Sequence, residues 1–219
     1  MDGEEVSQQE FAACIKDLAT VNSVTLGRRP TLDFIRRALR TTPDGMLTIL
    51  DVGFGAGDML RAIRRQTGPC TQLIGIDLNP RSEPAAREMT PPDMEIEYRT
   101  GDVFAWPQDE PVDIVISSAV THHMDDEEIL RFLRWMEDRS RLGWYVNDLH
   151  RHWFPYYGFG LLSAAMRWHS FVRHDGPLSV SRAFRREEWE SLLQAADVGD
   201  KARISWWFPF RYCVERAKW

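Results

Sequence analysis

Met46-Leu47-Thr48-Ile49-Leu50-Asp51-Val52 runs directly into Gly53-Phe54-Gly55-Ala56-Gly57, and Asp58 opens a helical pattern beyond it. A short, mostly aliphatic run closed by a glycine turn is the pattern of a strand buried on both faces of a parallel sheet. Strand, tight glycine turn and helix together make a ligand-binding loop of an open α/β sheet. Glycines permit positive φ and let the backbone come close to a ligand. The spacing here is G-x-G-x-G, not the G-x-G-x-x-G of dinucleotide sites, and an acid, Asp51, stands before it. A diphosphate wants a helix N-terminus free to receive it. An acid at the strand end suits instead a ligand with an ammonium group and no phosphate.

The same alternation continues outward. Leu73–Asp77 (LIGID), Met94–Tyr98 and Val112–Ser117 (VDIVIS) read as further strands, and Leu142–Asn147 as a fifth. Helical patterns occupy Asp58–Arg65, Pro80–Met89 and Asp126–Glu137, the last with Asp125 as its cap. Such alternation implies an α/β protein with a doubly wound sheet and right-handed crossovers. Before it, Phe11–Ala19 and Thr31–Leu39 read as helices, and Pro43-Asp44-Gly45 as a turn. After Asp148, the aromatic stretch His150–His174 fits no simple strand–helix unit. Arg186–Ala196 is helical again, with Trp189, Leu192, Leu193 and Ala196 on one face. The chain closes on two alternating segments around Pro209, read as two adjacent strands.

The 219 residues carry 27 basic and 33 acidic side chains, a formal charge of −6. That length suits a single α/β domain, and 43% hydrophobic residues supply a sizeable core. The acidic balance argues against a nucleic-acid partner. Three cysteines, Cys14, Cys70 and Cys213, form no CxxC pair, and they read as reduced, mostly buried thiols of a cytoplasmic protein. The start, Met1-Asp2-Gly3-Glu4-Glu5, has no apolar run and is not read as a signal peptide. No apolar segment is long enough for an integral membrane span. Of nine Trp, only Trp106 lies in the first 130 residues. The aromatics gather where a substrate side would be built.

Two further acids stand where a nucleoside ligand needs them. Asp77 ends the second strand, twenty residues past Gly57, and a carboxylate there accepts ribose hydroxyls. Asp102, followed by Val103, comes after the third strand, placed to accept from an adenine amino group. In these four signals the sequence resembles the class I S-adenosylmethionine (SAM)-dependent methyltransferases, over about residues 46–149. The glycine loop matches the family's first motif, Asp77 its ribose acid, Asp102-Val103 its adenine contact, and Val112–Ser118 (VDIVISS) its fourth motif. The style is similar to the small-molecule, quinone-biosynthesis-type branch, in Asp58, in Ala119–Met124 (AVTHHM) and in His174-Asp175-Gly176 before the Glu-Glu-Trp helix. The resemblance implies a Rossmann-like, doubly wound, seven-stranded, mostly parallel sheet with a terminal antiparallel strand. It adds N-terminal helices and a helical insertion after strand five. It implies one domain over residues 1–219, with a cap at about 7–40 and a substrate lid at about 150–181.

SAM is the implied cofactor, with S-adenosyl-L-homocysteine (SAH) as product. The implied contacts are Asp51, Gly53, Gly55, Gly57, Asp77, Leu78, Asp102, Val103 and Ser118. The implied transferase reaction is displacement at the sulfonium methyl, where alignment and exclusion of water count most. A hydroxyl acceptor also needs a base, and imidazole suits neutral pH. His150 is the first candidate and His123 the second, because both follow carboxyl ends of strands. His122, Trp153, Tyr156, Tyr157, Phe159 and Met166 are the candidate substrate contacts, with Arg167, Arg173 and Arg182 as solvating charges. Paired histidines with Asp125 and Asp148 have no metal-site spacing, so no metal is expected. The expected partner is a small molecule, most suitably an aromatic, polyketide or lipid-like hydroxyl compound, and peripheral membrane contact stays open. Protein or peptide methylation and a SAM-binding protein without transfer are the alternatives. A nicotinamide dehydrogenase is disfavoured by the glycine spacing.

Overall fold

The computed structural model describes residues 8–42, 46–166 and 170–219. The expected turn at Pro43-Asp44-Gly45 and the side chain of Arg167 lie outside those residues. The elements in order are α1 (Gln8–Val24), α2 (Arg29–Thr41), β1 (Leu47–Val52), α3 (Asp58–Thr67), β2 (Thr71–Asp77), α4 (Ser82–Glu88), β3 (Ile96–Thr100) and β4 (Val112–Ser118). They continue with α5 (Asp126–Arg139), β5 (Ser140–Leu149), α6 (Trp153–Ala165), α7 (Ser170–Arg182), α8 (Arg186–Ala195), β6 (Arg203–Trp207) and β7 (Arg211–Ala217).

The seven strands form one sheet in the order β3-β2-β1-β4-β5-β7-β6. Strands β1 to β5 pair in parallel, and β7 lies antiparallel to both β5 and β6. This is the seven-stranded, mostly parallel, doubly wound sheet that the sequence implies. The chain order reverses between β1 and β4, and ligands of open α/β sheets bind at the carboxyl ends of the strands flanking such a reversal.

Strand β1 shows why its sequence is mostly aliphatic. Leu47 and Ile49 face one side, where Phe34, Ile35, Leu60, Ile63, Ile114 and Tyr145 pack against them. Leu50 and Val52 face the other, against Ile76, Val115, Phe132, Trp144 and Trp189. All four are at most 6% exposed. Burial on both faces removes the usual alternation of polar and apolar residues.

Helix α5 starts where expected. The Asp125 carboxylate accepts from the Glu128 N–H at 2.8 Å, and the Glu128 carboxylate accepts from the Asp125 N–H at 3.0 Å. This reciprocal box satisfies two amide donors that the first turn leaves open. Helix α8 buries Trp189, Leu192 and Leu193 as its spacing implies. Of the three thiols, Cys14 and Cys213 are buried, and Cys70, in the short turn Gly68–Cys70, is exposed.

Asn147 is one of the points that tie the N-terminal helices to the sheet, beside the packing of Phe34 and Ile35 and the Arg37–Glu215 ion pair. Asn147 Nδ2 donates to the Gly27 carbonyl at 2.7 Å and to Thr31 Oγ1 at 3.0 Å. Arg211 Nη1 donates to Asn147 Oδ1 at 3.1 Å. The guanidinium lies directly under Gly27, where a Cβ would stand 2.5 Å from Arg211 Nη2. Glycine is therefore required by close approach. The stretch after β5, which fits no strand–helix unit, forms α6 and α7. Phe159 and Leu162 of α6 pack with Val172 of α7 and with Cys14 and Val21 of α1.

Candidate functional site

The glycine loop sits at the carboxyl end of β1, beside the reversal point. Gly53 N donates to the Ile76 carbonyl at 2.8 Å, which ties the loop to β2. Gly55 and Gly57 have φ of +51° and +70°, the left-handed region that disfavours other residues. A Cβ at Gly57 would stand 2.3 Å from the Tyr98 hydroxyl, so the loop is packed from below. A Cβ at Gly55 would meet nothing within 4 Å, so that side opens onto free space.

Asp77 ends β2 and reaches back to the loop. Its Oδ2 accepts from Gly55 N at 2.9 Å and its Oδ1 from Asn79 N at 2.9 Å. A carboxylate has about four acceptor positions. The two backbone bonds hold the group in place beside the loop.

Three acids converge here. Asp51 is 2% exposed, and burial pushes its carboxyl well above the usual range, with Asp58 and Asp77 adding repulsion. Burial also raises Asp58, against the opposing pull of Arg28, Arg61 and a hydrogen bond from Asn22. Such a cluster is costly without a counter-charge and suits a cationic ligand. Among the described residues no group of three His, Cys, Asp or Glu side chains has metal-site geometry. Ser118, at the end of β4, has a buried Oγ with no hydrogen-bond partner among the described residues. A carboxylate cluster, an open loop face and an unsatisfied hydroxyl together fit a ligand with an ammonium group, a ribose and a sulfonium.

The other expected cofactor residues are placed differently. Asp102 Oδ1 accepts from Phe104 N at 2.9 Å and caps a short turn, Val103–Ala105, that buries Val103. Leu78 is 73% exposed beside Asp77.

A second polar constellation lies across the reversal point. The chain leaving β4 makes a short turn, Thr121–His123, that buries Thr121 and His122. His122 Nδ1 lies 2.7 Å from Asp148 Oδ1, with both side chains at most 3% exposed. Asp148 also accepts from the His122 N–H at 3.1 Å, the Leu149 N–H at 2.7 Å and the Thr121 hydroxyl. Burial opposes ionisation of Asp148, but His122 and these donors outweigh it and hold the carboxyl down at about 2. A carboxylate at Nδ1 fixes the tautomer and leaves Nε2 with the lone pair. From sequence, Asp148 had read only as a candidate metal ligand. Its position after an apolar strand, next to Asn147, was the available signal, but a pairing 26 residues apart is invisible in a linear pattern.

The remaining histidines sit elsewhere. His123 is exposed, with its ring 4.2 Å from that of His122. His150 Nδ1 accepts from Trp206 Nε1 at 3.3 Å, and its ring meets Tyr212 edge-on at 4.5 Å. Burial, then His152 and Arg185, lowers its pKa. His150 thus joins an aromatic group with His152, Trp206, Phe210 and Tyr212 at the β5–β7 edge. Of the expected substrate contacts, Phe159 points inward, whereas Trp153, Tyr156, Tyr157 and Met166 stand exposed.

Residues 49–143 match the model of the methyltransferase domain family. The chain is 29% identical over 100 residues to trans-aconitate 2-methyltransferase of Azoarcus sp. (strain BH72), covering 43% of this chain and 38% of that protein. It is 34% identical over 92 residues to 2-methyl-6-phytyl-1,4-hydroquinone methyltransferase of Synechocystis sp. (strain ATCC 27184 / PCC 6803 / Kazusa), covering 42% and 28%. The aligned region thus spans less than two-fifths of these relatives' lengths. Human N-acetylserotonin methyltransferase, solved with SAM, superposes with a TM-score of 0.68 at 16% identity, over 100% of this chain and 60% of that one. The plantazolicin methyltransferase BpumL, solved with SAH and a pentazolic desmethylPZN analog, gives 0.67 at 14% identity, over 96% and 97%. Residues 49–143 thus match the methyltransferase domain family, and the chain shares the Rossmann-like, seven-stranded fold of methyltransferases solved with SAM or SAH.

Proposed function

We propose that this protein transfers the methyl group of SAM to a hydroxyl of a small molecule, releasing SAH. The observation that carries the choice of a hydroxyl is the buried His122–Asp148 pair, placed across the reversal point from the glycine loop. SAM supplies an electrophilic methyl on a good leaving group. Asp77 holds the ribose, and Asp51 with Asp58 faces the positive charge. The acceptor oxygen attacks the methyl carbon, the C–S bond breaks with its electron pair going to sulfur, and the acceptor proton passes to His122 Nε2. Asp148 stabilises the imidazolium that forms. His150, first from sequence, ranks behind His122 because its Nδ1 faces an indole N–H rather than a carboxylate.

We read the chain as one working domain in which residues 7–40 and 150–181 cover donor and acceptor. The Synechocystis relative named above acts on a hydroquinone with a phytyl tail, and the aromatic α6–α7 insertion suits a flat or greasy acceptor of that general kind. Incubating the protein and methyl-labelled SAM with an extract of its source cells tests the reading. Label on one small hydroxyl compound is the expected result. Label on a protein or peptide, or SAM binding without transfer to any fraction, overturns it.

A further inference from the structure

Six large aromatic side chains stand exposed together: Trp153 at 67%, Phe154 at 53%, Tyr156 at 40%, Tyr157 at 66%, Trp206 at 48% and Phe208 at 68%. At about 200 Å² per side chain, this leaves roughly 700 Å² of aromatic surface in water, more than the few hundred square ångströms usual for a monomer. Trp153, Phe154 and Trp206 are joined through Phe210. The Trp153 and Phe154 rings are 5.8 Å apart, Phe154 and Phe210 are 5.4 Å apart, and Phe210 and Trp206 are 6.1 Å apart. It therefore joins the first turns of α6 to the β6–β7 turn. Trp153, Tyr156 and Tyr157 follow the i, i+3, i+4 spacing of one helix face.

The charge around the patch runs against the rest of the chain. Residues 150–186 hold six arginines and one acid, Asp175, a net of +5 in a protein of net −6. Arg173, Arg182 and Arg185 are exposed. Arg185 is close enough to His150 to lower its pKa, and His150 accepts from the Trp206 indole at the patch edge. Glu187 lies near His150, and Glu188 and Glu190 pair with Arg151 and Arg186. Trp and Tyr beside the remaining excess of Arg is the composition of a segment that lies in the headgroup layer of a bilayer. No helix among the described residues is long and apolar enough to cross one. Rings spread over two turns with cations at the margin suit a fluid, anionic plane.

We infer that this face docks on an anionic lipid surface through Trp153, Phe154, Tyr157 and Phe208, with the arginines of α7 and of the turn before α8 meeting the headgroups. The inference is independent of which acceptor is methylated.

The test is co-sedimentation of the full chain with phosphatidylcholine vesicles, with and without about a quarter phosphatidylglycerol, together with Trp emission. Expected are a blue shift and partition onto the mixed vesicles, at least tenfold weaker on phosphatidylcholine alone or in about 0.5 M salt. W153D with F208D, chosen on exposed positions so that folding is kept, should lower partition at least tenfold while the urea midpoint stays unchanged. Arg182→Glu with Arg185→Glu should act in the same direction. No partition onto the mixed vesicles, or partition that neither pair of substitutions alters, overturns the inference. So does a concentration-dependent dimer, seen by light scattering, that W153D with F208D dissolves.

Discussion

His122 and Asp148 lie on different strand ends, yet Nδ1 of one and Oδ1 of the other are 2.7 Å apart with almost no exposure. The pair joins the exit of β4 to the end of β5 and aims one basic nitrogen away from the carboxylate. Replacing His122 by Ala should lower kcat about 10²-fold or more, with a small change in KM for SAM. Asp148→Asn should lower kcat comparably, by favouring the other tautomer. If His150→Ala has that effect and His122→Ala does not, the base is misassigned. Steady-state kinetics of the three variants decides.

The same carboxylate predicts an acid limb of stability. Its folded pKa of about 2 lies below the roughly 3.9 of an unfolded aspartate, so its contribution is present above that value. It is lost as pH falls from about 4 toward 2, and is worth on the order of 2 kcal/mol. Urea midpoints of Asp148→Asn should depend less on pH in that window than those of the parent protein.

Asp51 predicts the opposite sign. Burial raises its pKa, so its contribution is full below the usual carboxylate range and is lost as pH rises through the raised value. A cationic ligand beside it lowers that pKa and expels a proton. The calorimetric enthalpy of SAM binding should therefore vary with the ionisation enthalpy of the buffer, and Asp51→Asn should remove the dependence. A buffer-independent enthalpy in the parent protein would separate Asp51 from the ligand.

Gly55 and Gly57 both have positive φ but differ in what surrounds them. Gly57→Ala drives a methyl into the Tyr98 hydroxyl, so strain adds to the roughly 1–2 kcal/mol of a left-handed alanine, and the midpoint should fall strongly. Gly55→Ala meets no protein atom and should cost only about 1–2 kcal/mol of stability. Its methyl points into the free space assigned to the donor, so SAH affinity should drop at least tenfold. Denaturation and calorimetry on the two variants separate stability from binding.

Asn147 holds the N-terminal helices to the sheet. Asn147→Ala leaves the Gly27 carbonyl and the buried Arg211 guanidinium without their partner, at a cost of about 2–4 kcal/mol. Limited proteolysis should then cut within α1 or the α1–α2 turn first. A cleavage pattern identical to that of the parent protein would count against the latch.

The sheet was legible because β1 is buried on both faces and a glycine turn follows it. Leu47, Ile49, Leu50 and Val52 have an apolar environment on either side, which aliphatic residues satisfy. The closeness of Asp51 and Asp77 was legible for a related reason, since they end their strands and the ends of adjacent parallel strands meet. Asp102 shows the limit. An acid after a strand serves equally as a ligand group or a cap, and it caps Phe104. The acceptor side was less legible. His122 and Asp148 pair through register between β4 and β5, which no local spacing encodes. The aromatics of α6 follow helical spacing whether they face a pocket or water, and Trp153 and Tyr157 face water.

The central claim is that the glycine loop with Asp77 holds SAM. Calorimetric titration of the purified chain with SAM and, separately, with NADH tests it most directly. Heat should appear with SAM alone, and Asp77→Ala should weaken the affinity by roughly 1.5–3 kcal/mol, from the loss of charge-assisted hydrogen bonds. Binding of NADH, or an unchanged SAM affinity in Asp77→Ala, would contradict it.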